Sequence, residues 1–145
     1  MRYAARKTHR RGSSTLEFAI LLPVMLMTVL VCVDYGRFAH TYIALGNAVQ
    51  VGALYASEHP VSASTLSGWQ DDVKAIVKTE MSDNNWFIPS DLVVTTVLSN
   101  TDGSMKNVLV TATYNFRTVV NYAAISGYNT PIRFSRTVVM RTIRT

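Results

Sequence analysis

The chain passes from polar and basic residues into an uninterrupted apolar run, and only after it into mixed patterning. Phe18 to Val33, FAILLPVMLMTVLVCV, carries no charge over 16 residues. As a helix at ~1.5 Å per residue this run is about 24 Å long, against a hydrocarbon core of about 30 Å. Leu16, Tyr35 and local bilayer thinning supply part of the difference. Beyond it, Phe38, Tyr42, Leu45, Val49 and Ala56 recur at helical spacing, with Arg37, Thr41, Asn47 and Gln50 off that stripe. The helix is therefore expected to continue out of the membrane and to end at Glu58-His59-Pro60. Ala48, Gly52 and Ala56 repeat every fourth residue, which lets another element approach closely. This face is expected to cover the protein's own sheet, with a contact between subunits as the alternative. Pro23 removes a backbone donor inside the apolar segment, and a kink is expected there.

Residues 60–68 read as a polar loop. Trp69 to Ser82 reads as a second helix, with Trp69, Val73, Ile76, Val77 and Glu80-Met81 at helical spacing and Asp71 and Asp72 in its first turn, where they suit the dipole. Asp83-Asn84-Asn85 stops it. The period then changes to two. Leu92–Leu98 is β-branched, Asn100 to Gly103 is a turn, and Val108, Val110, Ala112, Tyr114 and Phe116 alternate with polar or outward residues. A third strand, Ile132–Ile143, follows a loop holding Gly127 and Pro131, and its Arg133, Arg136, Arg141 and Arg144 mark an exposed edge protected by charge. The expected fold class is α+β: a long N-terminal membrane-spanning helix running into a domain with a second helix and a small antiparallel sheet.

Charge refines this picture. Of 145 residues, 14 are basic and nine acidic. Arg2, Arg6, Lys7, Arg10 and Arg11 all fall in residues 1–12, which hold no acid, so residues 13–145 are neutral in sum. The basicity belongs to a short tag, and a broad nucleic-acid-binding face is excluded on that arithmetic. Arg6, Lys7, Arg10 and Arg11 before the apolar run, with Asp34 after it, place the N-terminus in the cytoplasm and the remainder across the inner membrane. A cleaved secretory signal would need a small-residue site after the run, and Val31-Cys32-Val33-Asp34 offers none. Val31 is too large for a lipoprotein signal at Cys32, and Gly12-Ser13-Ser14 after Arg10-Arg11 fits a twin-arginine signal poorly. A retained anchor fits best. Glu17 is at odds with a plain anchor: a carboxylate entering hydrocarbon is costly unless partnered, or unless headgroups solvate it at the interface.

Arg10-Arg11-Gly12, four residues, then Glu17-Phe18 and an apolar helix resembles the cleavage and assembly signal of type IVb prepilins. Leu16-Glu17-Phe18-Ala19, Leu22-Pro23, Asp34-Tyr35-Gly36-Arg37 and the segment Asn47 to Ala56 are similar to the TadE family of minor pilins (pseudopilins) of the Tad, or tight-adherence, apparatus. The similarity spans about residues 10–57, with an echo at Val139-Met140-Arg141. Gln50 and Leu54 stand where that family often carries arginine. The resemblance implies cleavage by a prepilin peptidase between Gly12 and Ser13, and recognition through Glu17 and Phe18. It implies three segments: a basic leader 1–12, an apolar assembly helix 13–36 and an exported domain 37–145. The implied partners are the peptidase, another minor pilin, the major Flp pilin and, indirectly, the inner-membrane platform with its ATPase. Glycine suits the cut, since a peptidase needs extended, uncluttered backbone. A new amine on Ser13 and the carboxylate of Glu17 share a helix face and can pair with the same groups of a neighbour.

Catalytic chemistry is missing from the pattern. His9, His40 and His59 are scattered, and neither His40 nor His59 has a cysteine or histidine at metal-ligand spacing. Asp102-Gly103 reads as turn chemistry, and there is no phosphate-binding loop or nucleophile elbow. The single cysteine excludes a disulfide framework. No enzyme, metal or cofactor is expected. The leading function is a minor pilin that initiates or regulates Tad pilus assembly in surface adherence. The alternatives are a single-pass membrane protein with a periplasmic binding or sensor domain, and an exported binding module using the aromatic residues around Trp86. Core or membrane-surface packing is the commoner fate of Trp69, Trp86 and Phe87.

Overall fold

A helix that is apolar on every side finds no partner in a small domain, and this chain has one. In a computed structural model, which describes residues 13–59, 66–100, 106–120 and 131–142, helix α1 runs unbroken from Ser13 to Glu58. It passes through Pro23 without losing helical assignment. From Ser14 to Val33 every side chain is exposed; none of the most apolar stretch is covered by the rest of the protein. Thr28, a hydroxyl within that stretch, donates to the Val24 carbonyl at 2.9 Å and so carries no free donor. Burial begins at Asp34 and follows the expected stripe: Leu45, Val49 and Ala56 are fully buried, and Phe38 packs against them.

Helix α2 spans Leu66–Ser82. It buries Trp69, Val73, Val77 and Met81, a spacing of four that follows from its 3.6-residue period. It starts three residues before the expected Trp69, so Asp71 and Asp72 lie beyond its first turn, where the helix dipole no longer holds them; Asp71 instead accepts from Lys74 Nζ at 3.0 Å. A single 3-10 turn, Pro89–Asp91, leads into the sheet. Strands β1 (Leu92–Asn100), β2 (Lys106–Phe116) and β3 (Ile132–Arg141) form an antiparallel sheet in the order β1-β2-β3. Val110 of β2 stands opposite Thr96 and Val138 in this register. The alternation read along β2 holds: Val108, Val110, Ala112, Tyr114 and Phe116 are buried.

Both helices cover one face of the sheet, α1 over β2 and β3 and α2 over β1. The core lies between, and the α+β architecture expected from the sequence is the one observed. Two details differ. Gly52, at the middle of the small-residue repeat, packs on α2: a Cβ there would overlap Val77 Cγ2 and sit 3.7 Å from Val73 Cγ1. Thr41, placed off the apolar stripe, is buried. It can be because both of its polar capacities are used: its hydroxyl donates to the Arg37 carbonyl (2.9 Å) and accepts from Asn84 Nδ2 (3.2 Å). On β3, Arg133, Arg136 and Arg141 are exposed, as an edge strand requires. Arg136 nevertheless faces the helices: it pairs in register with buried Ala112, and its guanidinium carbon lies 4.1 Å from the Tyr42 ring centroid. Asn100, expected to open the turn, is the last residue of β1 and pairs with Lys106; residues 101–103, the 121–130 loop and Arg144 lie outside the described residues.

Candidate functional site

Ser13, the residue expected to follow the cleavage point, is helical and is the first described residue of α1. Glu17 and Phe18 follow on exposed helix. In a helix, residues four apart lie on one face, which puts Glu17 beneath the position of Ser13. The leader residues Arg6, Lys7, Arg10, Arg11 and Gly12 lie outside the described residues. At 1.5 Å per residue, Ser13 to Val33 extends about 31 Å, the thickness of a hydrocarbon core.

The other end of the rod carries geometry the sequence did not announce. Asp34, the first residue after the apolar run, is only 5% exposed. Its carboxylate accepts from the backbone N–H of Val119 (2.9 Å) and of Val120 (3.3 Å), just past the end of β2. It also accepts from Arg37 Nη1, one turn along α1, at 3.2 Å. Arg37 in turn lies under aromatic rings, its guanidinium carbon 4.6 Å from the Trp86 centroid and 5.5 Å from that of Phe116. A guanidinium tolerates such enclosure because its charge is spread and weakly hydrated.

Three further ties close the ring. Asn84, in the turn after α2, donates to Thr41 and accepts from the Trp86 N–H at 3.1 Å, which fixes the residue that covers Arg37. Arg117 makes a bidentate pair with Asp91, Nε to Oδ2 at 2.8 Å and Nη2 to Oδ1 at 3.0 Å, joining the end of β2 to the turn before β1. The hydrogen bonds and charge of Asp91 raise the Arg117 pKa above its ordinary value. The Tyr114 hydroxyl accepts from the Ile88 N–H at 3.1 Å and donates to the Trp86 carbonyl at 3.4 Å. Within two turns of α1, residues 34–41, the rod is thus tied to the segment after β2 and to the segment between α2 and β1.

This arrangement ties three segments of the chain together at the end of the rod. Among the described residues, no group of three or more His, Cys, Asp or Glu is placed to hold a metal ion. His40 is exposed on α1, and His59 stacks on Tyr55 with ring centroids 4.0 Å apart. Cys32 is exposed on the rod. The three aromatic residues grouped in the sequence separate: Trp69 is buried on α2, Phe87 stacks on Tyr114, and Trp86 alone is well exposed. From the sequence, Asp34 reads as an orientation charge and as part of the Asp34-Tyr35-Gly36-Arg37 segment similar to the TadE family, and Asn84 as a helix stop. The acid and arginine at i and i+3 directly after an apolar run were the available signal for a pair on one helix face.

Fold and rod together define a class: an α+β domain borne on a single N-terminal helix long and apolar enough to cross a bilayer. Residues 12–54 match the family model of TadE-like proteins. That stretch runs from the residue before α1 almost to the end of α1 and includes Glu17, Asp34, Arg37 and Thr41, so over α1 the chain is similar to TadE-like proteins. No curated protein and no solved structure matches the chain.

Proposed function

We propose that this protein is a minor pilin (pseudopilin) of a Tad, type IVb, pilus system, made with a leader of residues 1–12 and anchored by a single helix with its N-terminus cytoplasmic. The observation that carries the reading is the bare apolar rod, exposed from Ser14 to Val33 and continuous with a helix that packs into the domain, within the stretch that matches TadE-like proteins. A prepilin peptidase cuts between Gly12 and Ser13, with Glu17 and Phe18 as its recognition pair and Arg6, Lys7, Arg10 and Arg11 holding the leader at the cytoplasmic face. The freed amine of Ser13 and the carboxylate of Glu17 then set the register of the rod against neighbouring rods, among them another minor pilin and the major Flp pilin. In a bundle of low dielectric, such pairing acts as a register device, since its desolvation cost offsets much of its Coulomb gain. The role is structural, initiating or regulating a fibre used in adherence, with the assembly platform and its ATPase acting from the membrane side.

N-terminal sequencing and intact mass of the membrane-extracted protein test this directly. The expected mature chain starts at Ser13 and lacks the mass of residues 1–12. A chain that keeps its leader refutes the pilin reading and leaves a tethered periplasmic domain as the better description.

A further inference from the structure

We propose that the domain sits down on the membrane: Trp86, Val119 and Tyr35 form a collar around the end of the rod that beds into the phospholipid interface at the Asp34 end. This inference rests on the reading that α1 spans a bilayer. Depth is the first argument. If the charge-free run Phe18 to Val33 spans the hydrocarbon, with local thinning supplying the difference, Asp34 lies at its outer boundary. Val119 is held at that same level, because its N–H lies 2.9 Å from the Asp34 carboxylate. Tyr35 follows Asp34 directly, and Trp86 lies against Arg37, about 4.5 Å further out along the helix.

Exposure is the second argument. These residues are 55% (Trp86), 63% (Val119) and 71% (Tyr35) exposed. They are not fraying. The Trp86 backbone is bonded at both its N–H and its carbonyl, its ring carries the Arg37 guanidinium, and Val119 is pinned by Asp34. A fold that fixes a large exposed ring through so many contacts is presenting it. Chemistry is the third argument. Tryptophan and tyrosine favour the headgroup level, where the ring meets acyl chain and the polar tip meets water. The occupant is therefore lipid. The collar would fix the tilt of the domain over the membrane, as interfacial anchors do for a helix.

The test uses the full chain reconstituted in vesicles of phosphatidylcholine and phosphatidylglycerol, with and without phosphatidylcholine dibrominated near the headgroup end of its chains. Trp86→Phe leaves Trp69 as the remaining tryptophan, and Trp69 is buried at 6% exposure. The sole cysteine, Cys32, takes an environment-sensitive label on the rod and reports insertion independently. The expected result is a blue-shifted Cys32 label, an approximately twofold bromine quenching of the Trp86 component, and loss of that quenching in Trp86→Phe. An inserted rod with unquenched Trp86 overturns the collar while the spanning reading stands; shielding of Trp86 that needs a partner pilin has the same consequence, and makes the patch a protein interface. Equal quenching in Trp86→Phe also overturns it. An unshifted Cys32 label removes the spanning reading and the collar together.

Discussion

Asp34→Ala is the substitution that most directly probes how the domain is held to its rod. The aspartate is buried, and its carboxylate serves two backbone N–H groups and one guanidinium. Hydrogen bonds to a charged group contribute about 1.5–3 kcal/mol each, but the donors Val119 and Val120 belong to a partly exposed segment and recover water when released. That argues for the low end, about 3 kcal/mol for the backbone pair. Arg37, with its side chain 17% exposed and enclosed by Trp86 and Phe116, loses its carboxylate partner, and stranding a mostly buried charge costs up to about 3–5 kcal/mol. Solvent reach and aromatic contact reduce that share, so the combined loss is expected at about 4 kcal/mol. Against a typical stability of about 5–15 kcal/mol, this removes a large part of the total.

The assay is urea unfolding of the full chain in detergent micelles, followed by tryptophan fluorescence, with Asp34→Asn and Arg37→Met alongside. Asparagine keeps one acceptor and the shape, and should lose about half as much as alanine. Arg37→Met removes the charge that Asp34→Ala strands, so the double variant should be less destabilised than the two singles added together, by at least about 1 kcal/mol. An Asp34→Ala midpoint within about 0.5 kcal/mol of wild type would show that the carboxylate does not hold the junction, and strict additivity would dissolve the pair.

Other substitutions separate the remaining contacts. Gly52→Val places branched carbon into Val77 and should destabilise by about 1–3 kcal/mol, whereas at an open site the same change would gain helix propensity; thermal unfolding distinguishes the two. Thr41→Val removes the acceptor for buried Asn84 Nδ2 and should cost about 1–3 kcal/mol, read by the same unfolding curve. Arg117→Gln breaks a bidentate pair whose cation is largely exposed, and unfolding is expected to shift by no more than about 1 kcal/mol. Glu17→Val should leave membrane insertion and the Ser13 terminus intact while abolishing co-purification with partner pilins; recovery of partners at wild-type levels would remove the register role.

Much of the architecture was legible because each element carries its own period. The four-residue spacing of Trp69, Val73, Val77 and Met81 and the alternation of β2 both read correctly, since burial on one face leaves that imprint. Asn84 does lie just past the end of α2, as a helix stop should, but its burial with Thr41 across 43 positions of chain was not legible, since a pattern of single residues contains no trace of a pair. Asp34 was seen as a charge ending an apolar run, which is true, but its acceptors' partners come from residues 119 and 120, which no local rule connects to it. Gly52 was seen as a point of close approach; which element approaches depended on how α2 crosses α1. At the assembly end the helical spacing of Ser13 and Glu17 was legible, while the chemistry attached to it requires a second molecule.

One helix serves two solvents, and the change falls within a single residue step. Up to Val33 the side chains are exposed and apolar on all sides, suited to lipid or to other rods; at Asp34 the same helix begins to bury one stripe against its own domain. The two halves share a backbone but no side-chain network among the contacts described, for the ties that fix the domain begin at Asp34. Substitutions in the two halves should therefore act independently. Glu17→Val should leave the urea midpoint of the domain within about 0.5 kcal/mol of wild type, and Glu17→Val combined with Asp34→Ala should unfold like Asp34→Ala alone. The converse carries more weight. Because Asp34 fixes the helix at its exit from the rod, loosening it frees the domain to swivel about α1 without touching the rod's own surface. Asp34→Asn should then leave rod insertion, read at a labelled Cys32, unchanged while broadening the mobility of a spin label at an exposed domain position such as Thr137. A spin label equally rigid in both forms would mean that packing of Leu45, Val49 and α2 alone sets the domain's pose, and that the Asp34 ring is a local ornament of the fold.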